Sequence, residues 1–215
     1  MSWSPQDHLR HFMYESIYKV LAKMEWPIPR YRVLDFGSQW FGDPDGGWQT
    51  HMRTMLKSII GQDRFDHVLG VFPKYDIQKL SVVGEKHFDI LIADQVLEHV
   101  QRPWLAASEI YRVLKPGGIA VVATPGLYPI HPSPIDCWRL MPDAYAVLFP
   151  KNLWAWLEMG TWGTEKRTGY EYLYNGAFPY GPPNTTVDKA MKQPYYTADS
   201  DKRCPLMVWW VGRKI

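Results

Sequence analysis

Two short runs in this sequence put a carboxylate next to small or polar residues where a strand would end: Asp35-Phe36-Gly37-Ser38-Gln39 and Asp94-Gln95. A strand-end carboxylate followed by a residue without a side chain lets a ligand approach the backbone closely, as a nucleoside-like cofactor requires of a parallel sheet. Alone, the first run is equally an ordinary strand-to-turn junction, since Asp and Gly are common in turns. Two histidines, His99 and His131, are the candidates for moving a proton near neutral pH. His99 also reads as a helix-start residue bonded to nearby backbone. His131 shares its segment with Asp136, Trp138 and Arg139, which read either as ligand contacts or as a salt bridge and aromatic plug that fix the loop. Cys137 and Cys204 have neither metal-ligand spacing nor a disulfide framework around them, so no metal site is expected. Asp43-Pro44-Asp45-Gly46-Gly47 lacks the later ligands of a calcium loop and reads as a turn.

The elements that must position these residues follow from hydrophobic period. Leu9, Met13, Ile17, Val20, Leu21 and Met24 recur at helical spacing and predict a first helix over 5–24, ended by Trp26-Pro27-Ile28-Pro29. Residues 31–36 form a short apolar strand running into Gly37. Trp48, Met52, Met55, Leu56, Ile59 and Ile60 mark the next helical face, closed by Gly61. Strands are predicted over 67–72 and 88–93, with an edge strand or turn over 76–80 between them. A helix over 103–115 has Pro103 at its tolerated first position and stops at Pro116-Gly117-Gly118. A strand over 119–123 follows. Strands this apolar, alternating with helices, argue for a mostly parallel sheet covered on both faces, with binding at the carboxyl ends of the strands. Beyond Pro125 a short helix over 143–149 and late strands over 153–159 and 206–211 are expected, the strands pairing antiparallel at the sheet edge. The stretch 164–203 reads as an insertion or lid within a single domain of 215 residues.

Taken in order, Arg32-Val33-Leu34-Asp35-Phe36-Gly37, Phe88-Asp89-Ile90-Leu91-Ile92-Ala93-Asp94-Gln95-Val96-Leu97-Glu98-His99-Val100, Glu109-Ile110-Tyr111-Arg112-Val113-Leu114-Lys115-Pro116-Gly117-Gly118 and His131-Pro132-Ser133-Pro134-Ile135-Asp136-Cys137-Trp138-Arg139-Leu140-Met141-Pro142-Asp143 resemble the class I S-adenosylmethionine-dependent methyltransferases, in the branch of small stand-alone domains. The resemblance covers roughly residues 30–150. It implies a Rossmann-like, doubly wound, mostly parallel sheet with an antiparallel C-terminal edge hairpin, and S-adenosyl-L-methionine as cofactor. It places Asp35, Gly37, Ser38 and Gln39 at the methionine end of the cofactor, Asp76 and Ile77 at the adenine, and Asp94 and Gln95 beside the ribose and methionine. His131 and His99 are then the candidate catalytic bases. Two departures stand out. Gly37 is followed by Ser-Gln-Trp-Phe before the next glycine, and Phe72 falls where the family has an acidic residue for the ribose hydroxyls.

Composition narrows the acceptor. A hydrophobic fraction of 46%, a charged fraction of 21% and a net charge of +2 describe a globular chain with no general field for polyanions. The position after Asp94 lacks the Asn- or Asp-Pro-Pro-aromatic run that would grip a flipped base, so no nucleic acid is expected. The absence of a second and third glycine after Gly37 argues against a nicotinamide dehydrogenase. The polar first fifteen residues and the lack of a long apolar run point to the cytoplasm and no membrane partner. A small-molecule, sugar or peptide-like acceptor is expected. The alternative is a methyltransferase fold that has lost catalysis and serves as a partner subunit. Most of the 11 Trp and 13 Tyr are read as packing residues.

Overall fold

The first strand forms where β-branched and aromatic residues meet a residue pattern that is apolar on both faces. In β1 (Tyr31–Asp35) Val33 and Leu34, successive residues on opposite faces, are both fully buried. The computed structural model describes residues 11–37, 50–128, 130, 135–163 and 205–215. In chain order it has α1 (His11–Leu21), β1, α2 (Thr50–Ile60), β2 (Phe65–Leu69), β3 (Phe88–Asp94), α3 (Pro103–Val113), β4 (Leu114–Pro125), α4 (Pro142–Leu148), β5 (Trp154–Trp162) and β6 (Met207–Lys214).

These strands make one sheet in the order β2-β1-β3-β4-β6-β5. β2, β1, β3 and β4 run parallel, and β6 lies antiparallel between β4 and β5. The expected doubly wound, mostly parallel sheet with an antiparallel C-terminal pair is borne out. Its two faces bury separate cores. Val33, Ile90, Ile92, Val121 and Trp209 pack with α1 and α2 residues such as Ile17 and Leu56. Leu34, Leu91, Ala93, Val122 and Trp210 pack on the other face with Ile110 of α3 and Tyr145 of α4. α2 therefore crosses on one face and α3 on the other, which puts the switch point of the sheet between β1 and β3.

Most predicted elements lie within a few residues of those observed. The second strand is a correction: it spans Phe65–Leu69, not 67–72, because its residues pair one to one with Tyr31–Asp35. Phe72 thus lies three residues past the strand and is 70% exposed. The stretch 76–80 is a turn closed by an Asp76–Lys79 bridge. The glycine-rich stop after α3 is absorbed into β4, which pairs with β3 through an irregularity between Phe88 and Ile90.

Among the described residues, the aromatics of the C-terminal strands pack against one another. Trp210 stacks on Phe149 with centroids 4.3 Å apart and meets Trp154 edge-on at 5.2 Å. Its indole folds over Gly212, where any Cβ would lie 2.0 Å from Trp210 Cζ2. The last strand also closes a helix end: Lys214 Nζ donates to the carbonyls of Tyr111 (2.6 Å) and Leu114 (2.8 Å), acceptors that the C-terminus of α3 would otherwise leave unmatched. Burial lowers the Lys214 pKa, with Lys86 adding to the effect.

Candidate functional site

Because β1 and β3 are neighbours, their carboxyl ends bring Asp35 and Asp94 to the two sides of one residue, Gly37. The Gly37 N–H donates to Asp35 Oδ1 at 2.9 Å, which closes the chain into a tight turn after the strand. A Cβ on Gly37 would stand 3.1 Å from both Asp94 Cβ and the Asp94 carbonyl. Only a residue without a side chain fits comfortably there, so the backbone of the first run lies directly against the second.

Both carboxylates are buried, Asp35 at 2% and Asp94 at 3% exposure. A buried charge is tolerated only when hydrogen-bonded or paired, and each has a dedicated partner from another element. His67 Nε2, on β2, lies 3.0 Å from Asp35 Oδ2. Tyr14 Oη, on α1, donates to Asp94 Oδ2 at 2.7 Å. Sequence reading missed both partners. Tyr14 is spaced like a core residue and His67 sits inside a strand, so no local signal marks either one.

Tyr14→Phe keeps the ring in the core and removes the donor. A loss of about 1.5 kcal/mol in denaturant unfolding is expected; an unchanged midpoint would show that Asp94 needs no help from α1.

The residue after Asp94 carries a further signal. Gln95 adopts φ +58°, in the left-handed region that a non-glycine residue enters at some energetic cost. Its N–H is tied to the Ala123 carbonyl at 2.8 Å. Its side-chain Nε2 is buried without a hydrogen-bond partner among the described residues. A donor so placed at a strand end is suited to a ligand oxygen.

On the far side of the sheet end, Asp76 Oδ1 accepts the Gln78 N–H at 2.9 Å and so shapes the turn at 76–79. The turn is fastened to α3. Glu109 accepts the Leu80 N–H at 2.6 Å, and Arg112 donates to the carbonyls of Leu80 (2.9 Å) and Val83 (3.0 Å). The Arg112 guanidinium bonded to Glu109 holds its carboxyl below the usual range, with the Leu80 N–H helping against desolvation. That pairing stabilises the fold above the ordinary Glu range and is lost as pH falls through the lowered native value. Ile77 is 4% exposed and belongs to the core, so its side chain serves packing.

The segment after β4 is sewn onto the segment after β3. The Cys137 and Trp138 N–H groups donate to the Glu98 carbonyl, and Trp138 Nε1 to the Val100 carbonyl at 2.8 Å. His99 Nδ1 bonds the Ile135 carbonyl at 2.5 Å, and since a carbonyl can only accept, Nδ1 carries the hydrogen. Arg139 binds both oxygens of Asp136 and the Tyr128 carbonyl, and the Asp136 hydrogen bonds raise its pKa. Asp136, Trp138 and Arg139 thus do the fixing that was the plainer of their two readings. Glu98 is fully buried beneath this wall.

The structure brings together Asp35, Gly37, Asp94 and Gln95, sets Asp76 on the turn after β2, and ties His99 to the segment that follows β4. Ser38, Gln39 and His131, and the stretch 164–203, lie outside the described residues. Among the described residues no group of three His, Cys, Asp or Glu is placed to hold a metal, and no helix is long and apolar enough to cross a membrane.

Comparison with known proteins bears on this geometry. Residues 51–122 match a family model described as a methyltransferase domain. A solved S-adenosylmethionine-dependent methyltransferase from Archaeoglobus fulgidus has the same fold, with a TM-score of 0.50 at 12% identity over 95% of this chain and 97% of that one. Weaker likenesses include the [4+2]-cyclase SpnF (TM-score 0.49, 18% identity, 93% and 80% covered) and the PH0226 protein of Pyrococcus horikoshii (TM-score 0.44, 14% identity, 99% and 95% covered). Comparison with curated proteins gives no match.

Proposed function

We propose that this chain is a class I S-adenosylmethionine-dependent methyltransferase, a reading supported by the methyltransferase-domain match over residues 51–122 and by the fold, and that it transfers a methyl group from S-adenosylmethionine to a small-molecule, sugar or peptide-like acceptor, at oxygen or nitrogen. The observation that carries this reading is the meeting of Asp35, Gly37, Asp94 and Gln95 at the switch point between β1 and β3. Two carboxylates and an orphan amide donor fit a ligand with a cationic amino-acid end and oxygen acceptors.

In this reading Asp35 and the backbone at Gly37, continued by Ser38 and Gln39, hold the methionine end. Asp94 and Gln95 line the groove beside ribose and methionine, and Asp76, with the backbone at Ile77, faces the adenine. When bound, the cofactor supplies a methyl group made electrophilic by its sulfonium. The chain's own work is then alignment of the acceptor and exclusion of water. Nδ1–H of His99 is held by Ile135 and its Nε2 lies 3.8 Å from Glu98 Oε1; His99 and His131 are the two candidates for taking a proton from a hydroxyl acceptor.

One observation favours a second reading, a methyltransferase fold acting as a partner protein without catalysis. β2 ends at Leu69 and is followed by Gly70-Val71-Phe72, so no carboxylate stands at its end for the ribose hydroxyls. Isothermal titration with S-adenosylmethionine and S-adenosylhomocysteine separates the two. One-to-one binding in the micromolar range supports the enzyme, and no heat at millimolar ligand supports the partner.

A further inference from the structure

The partner of Asp35 is an ionisable one, and its charge bears directly on a cationic ligand. We propose that His67 is a positioning residue whose Nε2 contact with Asp35 sets how much negative charge the end of β1 offers the ammonium of S-adenosylmethionine, so that cofactor affinity rises as His67 loses its proton. This rests on the reading of the switch point as the cofactor site.

The geometry separates two states of one contact. A carboxylate oxygen only accepts, so Nε2 carries a hydrogen whether His67 is neutral or charged, and the 3.0 Å contact persists in both. What changes is the sum of charge. With neutral imidazole, the pair retains the full negative charge of Asp35. With imidazolium, the pair is neutral and the added proton repels any incoming cation. Asp35 keeps its grip on the Gly37 N–H through Oδ1, so the turn is shaped in both states while its attraction for an ammonium is not.

Charged and aromatic groups from several elements surround the His67–Asp35 contact. On its own strand Phe65 stacks at 5.7 Å, and Asp66, on the opposite face, is 3.7 Å from Arg32. From β1 the facing charge is Asp35. From α2, Lys57 lies over the Phe65 ring at 5.8 Å. Across Gly37 stands Asp94, held by Tyr14 of α1. The His67 side chain is 14% exposed, enough to exchange protons with water. Histidine is also the side chain whose charge ordinarily changes between about pH 5 and 8.

The test is titration of the whole protein with S-adenosylmethionine and with S-adenosylhomocysteine between about pH 5 and 6.8, about a unit below the range in which α-amino groups lose their proton. About tenfold tighter binding of both ligands at the upper end is expected for the native protein. His67→Gln puts a neutral amide donor where Nε2 stands. It should bind at about the native upper-end affinity at every pH, with thermal melting confirming its fold. A pH slope that survives in His67→Gln, or a native protein with no slope, overturns the proposal. A slope seen with S-adenosylmethionine alone also overturns it, since the sulfonium would then be the charge sensed. Failure of both ligands to bind at any pH overturns the cofactor reading itself and this inference with it.

Discussion

Asp35→Ala is expected to weaken S-adenosylmethionine binding by about tenfold or more, measured by isothermal titration. Asp35 is a junction rather than a lone ligand. Its Oδ1 holds the Gly37 N–H at 2.9 Å, its Oδ2 meets His67 at 3.0 Å, and its carbonyl accepts the Gly70 N–H at 2.8 Å. The alanine keeps the last of these, which belongs to the backbone, and loses the other two. Hydrogen bonds to charged groups are worth about 1.5–3 kcal/mol each, so losing even one accounts for the expected factor. Asp35→Asn retains an acceptor for Gly37 without the charge. It should fall between the native protein and the alanine variant, and the gap between the two variants measures the electrostatic share. Unchanged affinity in Asp35→Ala would mean that the first run of the sequence is not part of the cofactor site.

The largest effect on stability is expected at Trp210. Its indole is fully buried between Phe149, Trp154 and Trp156, where the antiparallel C-terminal pair meets α4. Trp210→Ala removes the centre of that stack and leaves a cavity that the rigid sheet cannot close. It should destabilise the fold by about 3–5 kcal/mol, read from denaturant unfolding. Trp210→Phe makes a sharper comparison. The indole Nε1 is buried with no hydrogen-bond partner among the described residues, so phenylalanine removes an unmatched donor as well as some area. A loss of less than about 1.5 kcal/mol is expected for it. If both variants cost the same, the stack matters less than the volume of the indole.

These predictions concern different ends of one design. The C-terminal strands and their aromatics fix the sheet, and the sheet fixes where Asp35 and Asp94 stand. Of the core aromatics, Tyr14 reaches the candidate site through its hydroxyl on Asp94, whereas Trp154 and Trp210, at 1% and 0% exposure, are spent on packing.

How much of this was legible beforehand depended on the range of the interaction. Helices and strands were legible because apolar period is a local property: α3 and β3 were read within about two residues, and order and apolarity together implied a parallel sheet covered on both faces. The end of β2 was not legible, since its bounds are set by pairing with β1, and a run such as His67-Val68-Leu69-Gly70-Val71-Phe72 is apolar enough to slide in register.

The candidate cofactor residues followed the same rule. Asp35, Gly37, Asp94 and Gln95 could be named from the sequence because each sits at a strand end beside a residue of telling type. Their partners could not. Tyr14 reaches Asp94 across 80 residues and His67 reaches Asp35 across 32, and neither distance leaves a trace in local spacing. The fixing role of Asp136 and Arg139 was likewise open until the Tyr128 carbonyl was seen beside them. The sequence by itself thus determined the elements, the sheet class and the carboxylates at its end, since these follow from local pattern. Only the tertiary structure decided which groups hold those carboxylates, because a buried charge takes its partner from whichever element the fold packs against it.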